Sequence, residues 1–288
     1  MKYRELQAKG EDTLKAAGID EYEIDAYELL EYVTGMSKTD YLLRKMEEVP
    51  AEEAERYMGL IYERASHKPL QYITGKAYFC GHEFYVDSNV LIPRFDTEVL
   101  VEQALLHLPK EKSLRVLDMC TGSGCIAISV ELGIKERHPD IDVEVFGADI
   151  SPGAVDIALK NNELNRASVR FLVSDLFDKI QGKYDIILSN PPYIRKGDIE
   201  GLMPEVKDFE PMSALDGTED GLYFYREITK AAVRYLNEEG LLLYEIGFDQ
   251  GEDVMKIMKN KGFTDIQIIK DLAGLDRVIM AKLEIEGL

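Results

Sequence analysis

The tetrapeptide Asn190-Pro191-Pro192-Tyr193 follows the apolar run Tyr184-Asp185-Ile186-Ile187-Leu188-Ser189. These residue types in this order suit the methylation of a planar nitrogen, whose lone pair is delocalised into a carbonyl or an aromatic ring. An Asn side-chain oxygen beside the Pro191 carbonyl can accept both N–H bonds of such a group. That pins the nitrogen and favours the pyramidal state in which its lone pair attacks. Two prolines fix φ near −65° and remove two N–H donors, so the turn is stiff and presents acceptors only. Tyr193 is expected to lie flat on the planar group. Read alone, the same four residues also fit a strand-ending Asn-Pro turn.

A second constellation precedes it. The run Asp118-Met119-Cys120-Thr121-Gly122-Ser123-Gly124-Cys125-Ile126-Ala127 places a glycine-rich turn after an apolar strand. Gly122 and Gly124 permit a tight turn and a close approach of backbone to ligand. Gly122-x-Gly124-x-x-Ala127 also fits the dinucleotide fingerprint, so the glycines do not choose between cofactors. Asp149, followed by Ile150, ends the next strand and can accept both hydroxyls of a ribose in either case. Three features favour S-adenosyl-L-methionine. Asp118 precedes the loop, where an acid suits the methionine ammonium better than a pyrophosphate. Ser174-Asp175-Leu176 ends the third strand, where a polar side chain can read an adenine amino group. The Asn190–Tyr193 turn is something a hydride-transfer enzyme does not need. The candidate cofactor residues are therefore Asp118, Thr121, Gly122, Ser123, Gly124, Asp149, Ile150, Asp175, Leu176 and Asn190.

The elements that must position these residues are legible from periodicity. From about residue 96, near-continuous apolar strands alternate with helices: strand 114–119, helix 124–138, strand 143–149, then a helix from Pro152 with Ser151 as its N-cap. Strands follow at 169–173, 185–189 and 241–246, with helices near 222–236 and 252–259 and a closing hairpin of 266–269 with 278–281. This predicts an α/β fold with a doubly wound, mostly parallel sheet, whose ligands bind at the carboxyl ends of the strands. Residues 1–75 read as all-helical, with apolar residues at helical spacing in Ile24, Tyr27, Leu29, Leu30 and Val33 and again in Tyr57, Leu60, Ile61 and Ala65. Gly18, Gly35 and Val49-Pro50 punctuate it. Residues 76–95, rich in aromatics around Gly81-His82, read as a β-hairpin linker between domains.

Composition bounds the partners. The chain has 288 residues and a formal charge of −20, with −6 in residues 1–85 (11 basic, 17 acidic) and −14 in the rest. A large nucleic-acid footprint needs a clustered Lys/Arg surface, so direct nucleic-acid binding is not expected. No run approaches 18 apolar residues, and the start lacks the apolar segment of a signal peptide. The three cysteines, odd in number and without a metal-ligand pattern, fit a reducing cytoplasm. No metal and no membrane association are expected.

With these residues in view, the chain resembles the peptide chain release factor glutamine methyltransferases (the HemK/PrmC type) over essentially its whole length. The motifs are Phe79-x-Gly81-x-Glu83-Phe84, Val90-Leu91-Ile92-Pro93-Arg94-x-Asp96-Thr97-Glu98, the glycine loop and the Asn190–Tyr193 turn. After them come Glu210-Pro211-x-x-Ala214-Leu215-Asp216-Gly217 with Asp220-Gly221, and Glu245-Ile246-Gly247 with Gln250-Gly251. The Pro93-Arg94 and Glu210-Pro211 segments are far more specific than the glycines. One departure is visible: the family often has Gly where this chain has Cys120, and a small Cys is expected to fit. The resemblance implies an N-terminal helical bundle over 1–75 that docks the substrate protein, a hairpin linker over 76–95, and a seven-stranded Rossmann-like methyltransferase domain over 96–288. It implies methylation of the glutamine amide of the Gly-Gly-Gln loop of bacterial class 1 release factors. Asn190, Pro191, Pro192 and Tyr193 then carry the chemistry, with Phe79 and Arg94 in the cleft wall. The expected form is a monomer. The competing readings are an adenine-N6 nucleic-acid methyltransferase, which would want a basic recognition domain, a silent cofactor-binding adaptor and a dinucleotide-dependent oxidoreductase.

Overall fold

The computed structural model describes residues 1–284. Helices α1 (Tyr3–Ala16), α2 (Tyr22–Thr34), α3 (Lys38–Arg44), α4 (Ala51–Ala65) and α5 (Leu70–Thr74) come first, then strands β1 (Lys76–Phe79) and β2 (His82–Tyr85). The alternating part runs α6 (Glu98–Leu106), β3 (Ser113–Met119), α7 (Cys125–Arg137), β4 (Asp142–Asp149), α8 (Pro152–Leu164), β5 (Arg170–Val173) and β6 (Tyr184–Ser189). The short turns α9 (Pro204–Lys207) and α10 (Met212–Leu215) lead to α11 (Tyr223–Tyr235), β7 (Leu236–Glu245), α12 (Gly251–Lys259), β8 (Phe263–Lys270) and β9 (Asp276–Leu283). No helix among the described residues is long and apolar enough to cross a membrane.

The chain divides into two compact units. One is Met1–Lys76 together with Met203–Phe209; the other is Ala77–Leu202 together with Glu210–Leu288. In the helical unit, α1 buries Tyr3, Leu6, Gly10 and Leu14 at spacings of three and four, which line one face. They meet Leu29, Leu30 and Ile61 of α2 and α4, all essentially buried. Each such aliphatic side chain contributes about 1.5–3 kcal/mol relative to exposure. Gly10 has no substitute, because a Cβ there would collide with the Tyr57 hydroxyl. The helices α2 and α5 stop at Gly35 and Gly75, both in the left-handed region that glycine adopts without strain.

The segment Met203–Phe209 joins this unit through charge. Arg64, 8% exposed, donates Nε to Asp25 Oδ2 at 2.6 Å and Nη1 to Glu205 Oε1 at 3.2 Å. His67 Nδ1 lies 3.1 Å from the same Glu205 oxygen. Burial pushes the Asp25 carboxyl up, and Arg64 opposes that shift. Sequence spacing did not foretell this grouping, since Arg64 and Glu205 are 141 residues apart.

In the larger unit, seven strands form one sheet in the order β5-β4-β3-β6-β7-β9-β8. The first five are parallel, and β9 runs antiparallel to both β7 and β8. The doubly wound expectation therefore holds, with the closing hairpin laid on one edge. Successive residues of the central strands feed opposite apolar layers: Val116, Ile186 and Leu243 on one, Leu117, Ile187 and Leu242 on the other. Burial on both faces is why these strands read as continuous apolar runs. Strand order reverses between β3 and β6, so the loops after their carboxyl ends flank an opening.

The β1–β2 hairpin, read from sequence as a linker, packs within one unit. From Ala77 onward it is part of the larger unit. Asn161 of α8 accepts from the Tyr85 N–H at 2.7 Å and donates to the Tyr85 carbonyl at 3.0 Å, as a neighbouring strand would. It also donates to the Ser123 carbonyl at 2.9 Å, which fastens the hairpin to the glycine loop.

Candidate active site

Four strand ends and their following loops build a cavity of about 360 Å³, in the usual range for a small-molecule site. After β3, the backbone of Cys120, Gly122 and Gly124 enters the left-handed region at φ +62°, +52° and +79°. The loop is held by Thr121 N–H to the Ala148 carbonyl at 3.0 Å and Gly124 N–H to the Thr121 carbonyl at 2.8 Å. It opens directly into α7, leaving backbone N–H groups at a helix start. At the end of β4, the two Asp149 oxygens accept from the Gly122 N–H and the Ser151 N–H, each at 2.9 Å. Burial pushes the Asp149 carboxyl up, and the Ser151, Gly122 and Ile150 amides oppose it. The Ser151 hydroxyl also accepts from the Ala154 N–H at 3.2 Å, the N-cap that its sequence announced.

Of the candidate residues, Thr121, Gly122, Ser123, Asp149, Ile150, Asp175, Leu176, Asn190, Pro192 and Arg94 line this one cavity. The structure thus brings together both constellations found in the sequence. Five candidates do not line it: Asp118, Gly124, Pro191, Tyr193 and Phe79. Gly124 acts through the turn, where a Cβ would come within 2.9 Å of the Phe171 ring.

The structure places Phe79, Asp118 and Tyr193 outside this lining. Phe79 is fully buried in a core cluster, its ring edge-on to Phe84 at 6.2 Å. It packs the hairpin rather than the cleft, because its alternate position on β1 faces inward. Asp118 is fully buried, and its Oδ2 accepts from the Thr121 hydroxyl at 2.5 Å. The loop holds one oxygen of the carboxylate, and Asp118 is not among the residues that line the cavity. Tyr193 turns its hydroxyl onto Glu245 Oε1 at 3.2 Å instead of presenting its ring to the cavity. Burial and the Glu245 carboxylate both push that phenol up.

The turn after β6 is braced from several sides. The Ser189 hydroxyl donates to the Met119 carbonyl at 2.5 Å, locking β6 to β3 at the strand ends. Gln250 Nε2 donates to the Tyr193 carbonyl at 3.0 Å and to the Gly221 carbonyl at 3.2 Å. A Cβ at Gly217 would lie 2.7 Å from Tyr193 Cα, and one at Gly221 would strike the Tyr193 carbonyl oxygen. The Asp216-Gly217, Asp220-Gly221 and Gln250 motifs are thereby explained: they let the chain close around the turn. Arg94 Nη2 donates to Glu210 Oε1 at 2.5 Å, joining the two most specific segments, and Glu210 is itself buried.

Sequence reading gave no role to Thr97, which also lines the cavity and is 3% exposed. Its Oγ1 accepts from Asn190 Nδ2 at 3.4 Å, so the Asn190 side-chain oxygen is the end left for a ligand. The signal lay in the Asp96-Thr97-Glu98 motif. Nothing in the residues alone says that Thr97 meets a turn 93 positions away.

Asp118 supports a measurable expectation. Burial pushes its carboxyl up to about 7, with Thr121 and the Ala127 amide opposing and Asp149 adding to the rise. Its Oδ1 has no partner at hydrogen-bond distance. Below about pH 3.8 the folded and unfolded forms are both protonated, and Asp118 costs nothing. Between there and about pH 7 the unfolded form gives up its proton first, so stability falls as pH rises, and the full cost applies above 7. Asp118→Asn should remove that slope and raise stability at pH 8 by roughly 2–4 kcal/mol. Denaturant unfolding of parent and variant from pH 4 to 8 reads this directly; parallel curves would show that the carboxyl titrates normally.

The sheet order and the site at its carboxyl edge define a class I methyltransferase fold. Among solved structures, the Thermus thermophilus 16S rRNA N2 G1207 methyltransferase superposes with a TM-score of 0.51 at 18% identity, over 73% of this chain and 50% of that one. Residues 5–75 match the PrmC N-terminal domain family, and residues 79–203 match the methyltransferase small domain family. The release factor glutamine methyltransferase of Fusobacterium nucleatum is 40% identical over 97% of this chain and 78% of its own length. That of Clostridium acetobutylicum is 40% identical over 98% of both. The chain belongs to the release factor glutamine methyltransferase family.

Proposed function

We propose that this enzyme transfers a methyl group from S-adenosyl-L-methionine to the side-chain amide nitrogen of the glutamine in the Gly-Gly-Gln loop of bacterial class 1 release factors. The observation that carries the reading is the Asn190 carboxamide. Its nitrogen is engaged by Thr97 while it lines the same cavity as Asp149. An acceptor oxygen therefore stands beside a site shaped for an adenosine.

The residues present fit that cofactor. Asp149 is steered by two backbone amides and retains lone pairs for ribose hydroxyls. Asp175 and Leu176 stand after β5 at the same cavity, for the adenine. When bound, S-adenosylmethionine supplies an electrophilic methyl group and leaves as neutral S-adenosylhomocysteine. Asn190 Oδ1 and the Pro191 carbonyl are assigned the two N–H bonds of the glutamine amide. Holding the nitrogen in line supplies about 7–11 kcal/mol of barrier lowering at best. The amide nitrogen gains the new C–N bond and sheds one proton to water. Tyr193 is assigned a bracing role through Glu245, in place of stacking on the amide.

The helical unit is assigned the docking of the protein substrate. Its helix α3 buries no residue and exposes Leu42 and Leu43. The acidic charge, −20 overall, disfavours the nucleic-acid reading. A cytoplasmic monomer is the form we assign. The deciding experiment incubates the chain with isotope-labelled S-adenosylmethionine, a purified release factor and a DNA duplex. Mass spectrometry should find the label on the Gly-Gly-Gln glutamine. Label on adenine in preference to the release factor would overturn the substrate assignment.

A further inference from the structure

One carboxamide spans two stretches of chain that enclose the cavity around Asn190. Gln250 is 3% exposed and stands at the N-cap of α12, yet its side chain makes no capping bond there. Its Oε1 accepts from the Gly247 N–H at 3.0 Å. Its Nε2 donates to the Tyr193 carbonyl at 3.0 Å and to the Gly221 carbonyl at 3.2 Å. A backbone N–H only donates and a carbonyl only accepts, so these three partners fix which end of the carboxamide is which. The fit is close on both sides. A Cβ at Gly247 would lie 2.8 Å from Gln250 Oε1, and one at Gly221 would lie 2.7 Å from its Nε2.

The two carbonyls belong to segments that pair beside the cavity. Ile194 N–H donates to the Leu215 carbonyl at 3.1 Å, Gly217 N–H to the Ile194 carbonyl at 2.8 Å, and Lys196 N–H to the Thr218 carbonyl at 2.9 Å. Ile194 and Asp216 form a parallel bridge. Asn190 and Pro192 line the cavity just ahead of the first segment, and Pro211, Met212, Ala214 and Asp216 line it from the second. Gln250 therefore ties the turn after β6 to the wall beside it. We propose that Gln250 is a positioning residue for methyl transfer, which fixes the spacing between the Asn190–Tyr193 turn and the 211–216 wall where the substrate amide must fit. This deepens the function proposed above and rests on it.

Gln250→Glu keeps the shape. Ionised, it sets an oxygen against both carbonyls; protonated, it can donate to one of them. Gln250→Met keeps the length and has no donor at any pH. With full-length protein and a whole release factor at pH 8, kcat should fall about 10- to 100-fold in both variants, because a misplacement of about 1 Å suffices for such a loss. KM for the release factor and the calorimetric Kd for S-adenosylmethionine should stay within about twofold, since neither contact is removed. Lowering the pH to 6 should bring Gln250→Glu about tenfold back toward the parent, as burial among carbonyl oxygens favours the protonated acid. Gln250→Met should stay low. The ratio to the parent cancels titrations that both proteins share. The Tyr225 hydroxyl, 3.4 Å from Gln250 Oε1, is raised by burial well above its ordinary value and stays neutral throughout. Arg195, beside Gly221, is paired with Asp249 at 2.9 Å.

An activity-free readout runs alongside. Protection of the Ile194, Lys196 and Gly217 amides against hydrogen exchange should fall about tenfold in both variants at pH 8 and recover at pH 6 in Gln250→Glu alone. It needs no substrate, so it separates failure of this inference from failure of the substrate assignment. Parental kcat in either variant, unchanged protection, or cofactor affinity lost in step with kcat overturns the proposal. So does a deficit in Gln250→Glu that pH does not alter. Should Gln250→Glu not fold, Gln250→Met decides by its kcat, cofactor affinity and amide protection.

Discussion

Asn190→Ala is expected to lower kcat on a release factor by about 100- to 1,000-fold, the range seen when one preorganised polar contact to a reacting group is removed. Cofactor binding should stay close to the parent value. Asn190 sits in the cavity with its nitrogen on Thr97, whereas Asp149, to which we assign the ribose hydroxyls, is oriented independently by Gly122 and Ser151. Truncation also frees Thr97 Oγ1, which the small gap lets water satisfy, so the fold is little affected. Single-turnover methylation beside calorimetric titration with S-adenosylmethionine makes the comparison. Retained turnover, or turnover and affinity lost together, would remove Asn190 from its assigned place.

The second large effect belongs to stability. Arg64→Met should destabilise the helical unit by about 3–5 kcal/mol, because it strands Asp25 as a buried charge with no partner. The Asp25 and Arg64 side chains are only 5% and 10% exposed, and their contact is 2.6 Å. The exposed pair Lys256–Asp253, at 2.9 Å with both side chains more than half exposed, offers the contrast; Lys256→Met should cost under about 1 kcal/mol. Replacing both partners, Asp25→Leu with Arg64→Met, should recover much of the loss, since two apolar groups need no compensation. Denaturant unfolding of all four proteins tests the set. Near-equal losses for Arg64→Met and Lys256→Met would mean that the buried pair contributes no more than a surface one.

Much of the architecture was legible because burial imposes periodicity. Strands covered on both faces, such as β3 and β6, read as apolar runs. Helices with one covered face, such as α2 and α4, read as a repeat of three and four. The site was legible where backbone geometry demands a residue type: glycines at a left-handed turn, serine before proline at a helix start, prolines after a strand. What sequence did not reveal depends on direction or on distance along the chain. Phe79 and a cleft-wall phenylalanine are the same letter, and only the facing of β1 separates them. Asp118 looked like an open acid because nothing local shows that Thr121 folds back on it. The partner of Tyr193, Glu245, lies 52 residues later, where no local spacing shows it. Cys120 was judged by size, which was the wrong test. Its φ of +62° is the position's demand, and a side chain there carries strain of order 1–2 kcal/mol that a glycine would not.

The helical unit is discontinuous, and that sets an order on its birth. A ribosome adds roughly 5–20 residues each second. Arg64 leaves the ribosome 141 residues ahead of Glu205, a wait of roughly 7–28 s at that pace. During that interval the five N-terminal helices exist without the strand of chain that completes their charge balance. They can bury Leu6, Leu14, Leu29 and Leu30 against one another, but the outer face of Arg64 and His67 stays open to water. The nascent helices are therefore a half-finished product until residue 209 emerges. A graft of residues 1–76 onto another methyltransferase would carry that incompleteness with it, unless Met203–Phe209 travelled too.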